Sequence, residues 1–181
     1  LEMGRLYFVR HGESEWNVLG RICGSTDIPL TDRGREMARE TGRKIVEEGL
    51  KIDKIISSPL SRAYETATII ASFLGLEVKK DDRIKEQNFG VWEGKNPIGN
   101  PEFQAAKRVF CSSYGGGESM LKTAQRVYNL LDEIKEDKDN TYLLVAHNGI
   151  YRMVQSYFMD MTNEEFASQK MPNCSVKVYE I

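Results

Sequence analysis

The sequence LYFVRHG, residues 6–12, joins four apolar, β-prone residues directly to Arg10 and His11. A short apolar run of this kind is typical of a buried strand of a parallel sheet, with the charged residues at its carboxyl end. The stretch YLLVAHNG, residues 142–149, has the same arrangement around His147. The carboxyl ends of parallel strands lie at one edge of a sheet, where ligands bind. We therefore expect the two histidines of the chain in one crevice.

Between these two stretches, short strands alternate with amphipathic helices. This alternation is typical of a three-layer α/β/α fold with a mostly parallel central sheet. Among the apolar positions at helical spacing, Val46 and Leu121 are expected to face the core. The predicted strands are residues 6–9, 54–57, 142–146 and 176–179, and the predicted helices are residues 32–48, 59–74, 119–134 and 150–159.

The length and charge of the chain set broad limits on its class. A chain of 181 residues is most simply one domain, residues 1–181, since domains usually hold about 100 to 200 residues. Leu1 and Glu2, ahead of Met3, are interpreted as an expression scar. The formal net charge of -2 leaves no basic excess for binding nucleic acid or an anionic membrane. We recognise neither a membrane-spanning run nor a secretion signal, and we expect a cytoplasmic protein.

Two further features of the composition concern cysteine and glycine. Cys23, Cys111 and Cys174 are far apart and show no C-x-x-C pair, so free thiols are expected rather than a disulfide framework or a zinc site. Residues 90–117 are rich in Gly, Pro and Asn around a modest helical piece at residues 103–110. We expect this segment to cover the site as a loop or lid.

Arg62 is expected in the first turn of the helix that begins near Pro59. The free N–H groups at that end of a helix favour an anion. Taken alone, Arg62 is more consistent with an exposed arginine in a solvated turn. Together with Arg10 it supplies two forked guanidinium groups suited to bidentate contacts with phosphate oxygens. With the two strand-end histidines, this favours a functional crevice that binds an anion.

The stretch RHGESEWN, residues 10–17, resembles the opening signature of the histidine phosphatase superfamily, the phosphoglycerate mutase-like proteins. Further blocks follow in the order of that family and extend the resemblance over nearly the whole chain. These blocks lie within residues 27–34, 57–67, 86–94, 117–119 and 145–147. The resemblance implies a phosphoglycerate mutase-like fold and an enzyme that acts on a phosphomonoester.

The resemblance also implies a role for each site residue. His11, as neutral imidazole, would attack a phosphoryl group and form a phosphohistidine. Glu86 corresponds to the general acid, which protonates the departing alkoxide and then deprotonates the hydrolytic water. Without the family match, Glu86 would be interpreted as a solvated loop charge. The residues that would hold the phosphoryl oxygens are Arg10, Asn17, Arg62, His147 and Asn148. No metal and no other cofactor is then required.

Three positions depart from the family pattern. The mutases carry Arg-His-Tyr after the catalytic glutamate, whereas this chain carries Gln87-Asn88-Phe89, which favours a phosphatase. Asn148 stands where glycine is more usual, and a left-handed backbone would accommodate it. Cys23 stands where the mutases have Thr and many phosphatases have Gln, so the contact that this residue makes to substrate is open.

The pocket for the leaving group is expected to include Trp16, Cys23, Phe89 and Tyr114, although core packing accounts for each of them as well. The predicted ligand is a small phosphorylated metabolite, and neither nucleic acid nor a membrane is expected as a partner. The sequence leaves the alcohol open, among sugar phosphates, phosphoglycerate, phosphoserine, nucleotides and α-ribazole phosphate. A phosphoglycerate mutase-type phosphotransferase and a non-catalytic phospholigand-binding protein are the alternatives. The oligomeric state is open as well.

Overall fold

In the computed structural model, which describes residues 5–181, five strands form one sheet. Leu1 and Glu2, interpreted above as an expression scar, lie outside that range. The strands are β1 (Arg5–Arg10), β2 (Lys54–Ser57), β3 (Val78–Lys80), β4 (Tyr142–Ala146) and β5 (Val176–Glu180). The helices are α1 (Glu15–Leu19), α2 (Asp32–Glu47), α3 (Ser61–Leu74), α4 (Pro101–Ala106), α5 (Met120–Glu136), α6 (Asn148–Phe158) and α7 (Asn163–Ser168).

The strand order is β3-β2-β4-β1-β5, and the first four strands are parallel to one another. Only β5 runs antiparallel, at the edge beside β1. This order places β4 and β1 next to each other in the interior of the sheet. Because they are parallel, the segments that follow them leave the sheet at the same edge.

The two faces of the sheet are covered by different helices, since successive side chains of a strand point to opposite faces. Leu6 and Phe8 of β1 lie in one core cluster with side chains of α5 and α6. Tyr7 and Val9 lie in a second cluster with side chains of α2 and α3. Helices on both faces of a mostly parallel sheet make three layers, which confirms the predicted α/β/α fold.

Two apolar side chains that we expected in the core are exposed instead. Val46 is 51% exposed and Leu121 is 56% exposed. In α2 the buried positions include Ala38, Thr41 and Ile45, spaced three and four residues apart. Each residue of an α-helix is rotated by about 100° from the one before it, so the residue after Ile45 is turned out of that stripe. The apolar spacing in the sequence therefore predicted a buried face that is one residue too wide.

Residues 90–117 contain one 3₁₀ turn, Gly90–Trp92, and the helix α4. That helix begins and ends earlier than the piece expected at residues 103–110. Its Phe103 packs edge-on against Phe89, with 5.6 Å between ring centroids. The role of this segment as a lid stays a prediction. Within residues 5–181, no helix has the length and apolarity needed to cross a membrane.

Candidate active site

His11 and His147 directly follow β1 and β4, and the pairing of those strands brings the two rings together. The backbone N–H of His11 donates to the carbonyl of Ala146 at 2.9 Å, one residue beyond the end of the strand ladder. The ring centroids lie 5.2 Å apart, and both side chains are buried. The structure thus brings the two rings into contact, as the strand ends predicted, and His11 lines a cavity.

A single hydrogen bond sets the tautomer of His11. Its Nδ1 lies 2.6 Å from the carbonyl oxygen of Gly12. A carbonyl oxygen only accepts, so Nδ1 carries the proton and the Nε2 lone pair is left for another partner. Burial lowers the pKa of His11 well below its usual value, and the charges of Arg62 and Arg10 lower it further. The ring is therefore neutral at physiological pH, the form that a nucleophile requires.

His147 is positioned by the segment that follows a third strand, β2. Its Nε2 lies 2.7 Å from Oγ of Ser58, whose backbone N–H donates to the carbonyl of Val145 in β4. Burial lowers the pKa of His147 as well, followed by the charge of Arg62. Nδ1 is buried without a hydrogen-bond partner in the described part of the chain. His147 is thus a neutral side chain whose Nδ1 is left to form a hydrogen bond with an anion, or with a proton carried by that anion.

Arg62 is fully buried at the start of α3, so the alternative of an exposed arginine in a solvated turn is wrong. Its Nη1 donates to the carbonyl of Thr26 at 2.7 Å, and Nη2 donates to the carbonyl of Gly24 at 2.6 Å. Nε is buried and has no partner among residues 5–181. The guanidinium therefore fixes the loop around residues 24–26 while its charge acts on both histidines.

Arg10 and Asn17 line a cavity that His11 also lines. Nη1 of Arg10 donates to the carbonyl of Met171 at 2.7 Å. Oδ1 of Asn17 accepts from the backbone N–H of Ser14 at 2.9 Å and from Nδ2 of Asn173 at 3.3 Å. With Oδ1 engaged in this way, Nδ2 of Asn17 is the atom that remains to donate to an anion.

Glu86 is a buried carboxyl group that lines the same cavity, not a solvated loop charge. Oε1 accepts from the backbone N–H of Gln87 at 2.8 Å, and Oε2 accepts from that of Gly149 at 3.0 Å. Burial raises the pKa of Glu86 above its usual value, while the charge of Arg152 and these hydrogen bonds act in the opposite direction. A carboxyl group with a raised pKa is suited to donate a proton and take one back.

The chain matches the family model of the histidine phosphatase superfamily, branch 1, over residues 6–181. The protein belongs to this superfamily. It is 34% identical to "Phosphoserine phosphatase 1" of Hydrogenobacter thermophilus, over 97% of this chain and 86% of that protein. It is also 33% identical to "Probable phosphoglycerate mutase GpmB" of Escherichia fergusonii, over 96% of this chain and 83% of that protein.

A solved structure also matches this chain in its fold. Phosphoserine phosphatase of Entamoeba histolytica, in complex with 3-phosphoglyceric acid, superposes with a TM-score of 0.83 and 30% identity. The match covers 97% of this chain and 90% of that one. The family and the phosphatases among these relatives indicate a phosphoric monoester hydrolase, which confirms the predicted class of enzyme.

Asn148 of this histidine phosphatase does not adopt the left-handed backbone that would accommodate it in place of glycine. It is the first residue of α6, and the positive-φ residues other than glycine in the described chain are Tyr114 and Cys174. Its side chain donates to the carbonyl of Gln169 and accepts from the N–H of Met171. The side chain therefore holds a neighbouring loop, and the backbone N–H in the first turn of α6 is the group that remains for an anion.

The cavity has a volume of about 210 Å³, and two of the four expected pocket residues line it. Cys23 and Phe89 do so, whereas Trp16 lies against Gly94 and Tyr114 packs against the Phe89 ring at 5.6 Å between centroids. Burial raises the pKa of Cys23 to about 11, so its thiol is protonated and presents a weak polar group.

Three charged residues that line the cavity were missed at the level of the sequence: Arg21, Lys107 at the end of α4 and Arg152 of α6. Arg152 interrupts the otherwise apolar run of residues 150–154, within a stretch of α6 that is buried from Gly149 to Gln155. A charged residue inside an apolar run was the signal available for Arg152. Lys107 gave no such signal, since a lysine next to Arg108 in a polar segment is typical of a solvated surface.

The contact between Gly149 and Glu86 generates the first prediction. A Cβ at position 149 would lie 2.3 Å from Oε1 of Glu86, whereas a Cβ at the exposed Gly99 would meet nothing within 4 Å. Gly149→Ala is expected to displace the carboxyl group and lower kcat by about tenfold or more. Gly99→Ala is the matched control and is expected to keep the original rate. Phosphate release from an alkyl phosphomonoester measures the rate of both variants, and their melting temperatures verify that they are folded. An unchanged rate in Gly149→Ala would contradict this placement of Glu86.

Proposed function

We propose that this protein hydrolyses a small phosphomonoester through a covalent phosphohistidine on His11. The observation that carries the proposal is the hydrogen bond from Nδ1 of His11 to the Gly12 carbonyl, which leaves a neutral ring with its Nε2 lone pair available. A phosphoserine phosphatase of the same fold in complex with 3-phosphoglyceric acid supports a small phosphorylated metabolite as the ligand. A cytoplasmic location stays a prediction.

In the first step, Nε2 of His11 forms a bond to phosphorus while the bond from phosphorus to the alcohol oxygen breaks. Protonated Glu86 gives its proton to the departing alkoxide, so the alcohol leaves in neutral form. In the second step, a water attacks phosphorus and Glu86 accepts its proton. The bond between phosphorus and Nε2 then breaks, which releases inorganic phosphate and restores His11.

The charge on the transferring phosphoryl group is stabilised by donors that are already in position. These donors are Arg10, Arg62, Asn17, His147 and the backbone N–H of Asn148. Their contribution is electrostatic, and it is large in a site shielded from water because the donors need no reorganisation during the reaction. This set of groups accounts for catalysis without a metal, which is a prediction to be tested directly.

A phosphatase is favoured over a mutase by the residues that follow Glu86. Gln87 is buried, and its Nε2 donates to the carbonyl of Glu118, away from the phosphoryl site. Phe89 presents an apolar ring to the cavity. The mutases carry Arg-His-Tyr in this segment, so the guanidinium and imidazole groups of that run are absent here.

The proposed function is tested by phosphate release from a panel of natural phosphomonoesters in the presence of a chelator. We expect His11-dependent hydrolysis, with a loss of about a thousandfold or more in His11→Ala and no effect of the chelator. Assay of 3-phosphoglycerate for isomerisation identifies the mutase alternative. Hydrolysis unchanged in His11→Ala, or abolished by the chelator, would exclude the mechanism, and a folded wild type that releases no phosphate would overturn the function.

Glu86→Gln tests the general acid separately. Because a good leaving group needs little protonation, the variant is expected to slow alkyl phosphate hydrolysis about tenfold or more beyond its effect on an aryl phosphate. In the wild type, kcat for the alkyl ester should fall as pH rises through the pKa of Glu86, which lies above its usual value, and the variant should lose that descending limb. Glu77→Gln, at an exposed position, is the control. Equal losses on both esters would remove Glu86 from this role.

A further inference from the structure

Arg152 is a buried cation that the mechanism above does not use. It lies in the middle of α6, is 4% exposed and lines the same cavity as His11 and Glu86. In the described part of the chain, Nε and Nη2 of its guanidinium are buried and have no hydrogen-bond partner. Burial lowers the pKa of Arg152, and the attraction of Glu86 offsets this only in part. A buried charge of this kind is unfavourable unless another group compensates it.

Lys107 is a second cation that lines the cavity. It stands at the carboxyl end of α4, with Nζ 5.7 Å from the centre of the Phe103 ring. Burial lowers the pKa of Lys107 to about 8, and repulsion from Arg152 is the next largest cause. Both side chains line the same cavity, so the two cations lie near each other. Two neighbouring positive charges in a partly buried cavity attract an anion.

The charges around the cavity favour a ligand with more negative charge than a phosphate group alone. Among the described residues that line it, four are cationic and Glu86 is the sole carboxyl group. The four cations are Arg10, Arg21, Lys107 and Arg152. In the proposed mechanism Glu86 is protonated when the substrate arrives, so at that moment it offers Arg152 no negative charge. The phosphoryl group is held beside His11 and Arg10, which leaves Arg152 and Lys107 uncompensated.

We propose that Arg152 and Lys107 form a second anion site, which binds a carboxylate on the alcohol part of the substrate. This inference rests on the proposed function and narrows the substrate to phosphate esters of small hydroxy acids. The Nε and Nη2 atoms of a guanidinium lie along one edge, and that edge matches the two oxygens of a carboxylate. The lysine adds a third donor and a second charge. Both residues contact the leaving group in this arrangement, so they determine specificity rather than the chemistry at phosphorus.

The test compares esters that differ in the carboxylate. One pair is 3-phosphoglycerate and glycerol 3-phosphate, and the other is phosphoserine and phosphoethanolamine. We expect the wild type to hydrolyse at least one acid ester with a kcat/KM about 10- to 100-fold above that of its partner, the range that charged hydrogen bonds provide. Arg152→Met and Lys107→Met should each remove most of that preference. The readout is the ratio of kcat/KM for each acid ester to that for its partner, because a change that acts through the pKa of Glu86 affects both members of a pair alike.

A matched control separates the site from a general loss of positive charge. Arg108 follows Lys107 directly, but its guanidinium pairs with Glu164 on the exterior. Arg108→Met is therefore expected to keep the preference for acid esters. Circular dichroism and melting temperatures verify that each variant is folded. Because Arg152 is buried, Lys107→Met alone decides the test if Arg152→Met does not fold.

Several results would overturn the inference. If the wild type hydrolyses 4-nitrophenyl phosphate in a His11-dependent manner but prefers neither acid ester, the second anion site is wrong and the proposed function stands. If Arg152→Met lowers kcat/KM equally for both members of a pair, Arg152 acts through Glu86 and not on a carboxylate. If a folded wild type hydrolyses no ester, the proposed function is wrong and this inference falls with it.

Discussion

The parallel pairing of β1 with β4 is the constraint on which the site depends. The register sets Arg10 opposite Ala146, and the next backbone hydrogen bond, from His11 to Ala146, carries the pairing into the loops. Two histidines that are distant in sequence thereby come within 5.2 Å between ring centroids. A one-residue change of register would turn one of them to the opposite face of the sheet. The strand ladder, which is held by ordinary core packing, thus determines the geometry of the reacting groups.

Close backbone contacts keep the loop after β1 in place. A Cβ at Gly12 would lie 2.5 Å from the carbonyl oxygen of Gly34, and a Cβ at Gly34 would lie 2.1 Å from that of Glu13. The first turn of α2 therefore packs directly against the backbone that follows His11, which a larger residue at either position would prevent. The Gly12 carbonyl that accepts from His11 belongs to this packed loop, so the tautomer of the nucleophile depends on the fold and not on a flexible side chain.

Burial and positive charge act together on the site. Both lower the pKa values of His11 and His147 and keep the rings neutral, while burial raises the pKa of Glu86. Buried donors such as Nε of Arg62 have no partner in the described chain, an arrangement that costs stability and is typical of functional sites.

The sequence was sufficient for four of the five strands, all except β3, and for residues whose position follows from a strand end. The apolar runs before His11 and His147 predicted both the sheet and their convergence. Contacts between distant segments could not be predicted, because they depend on how loops pack. Trp16 lies against Gly94 rather than in the cavity, and Lys107 reaches the cavity only through the path of residues 90–117. Asn148 is helical because His147, in extended conformation, takes the N-cap position before it.

The claim that Nε2 of His11 carries the phosphoryl group is tested most directly by locating that group in the protein. Wild-type enzyme mixed with a phosphomonoester is quenched rapidly in alkaline denaturant, and the phosphorylated residue is identified by mass spectrometry and ³¹P NMR. The account predicts one phosphoryl group per chain, on Nε2 of His11, which disappears on the time scale of turnover. A phosphoryl group on Nδ1 of His11, on His147 or on any other residue would contradict it.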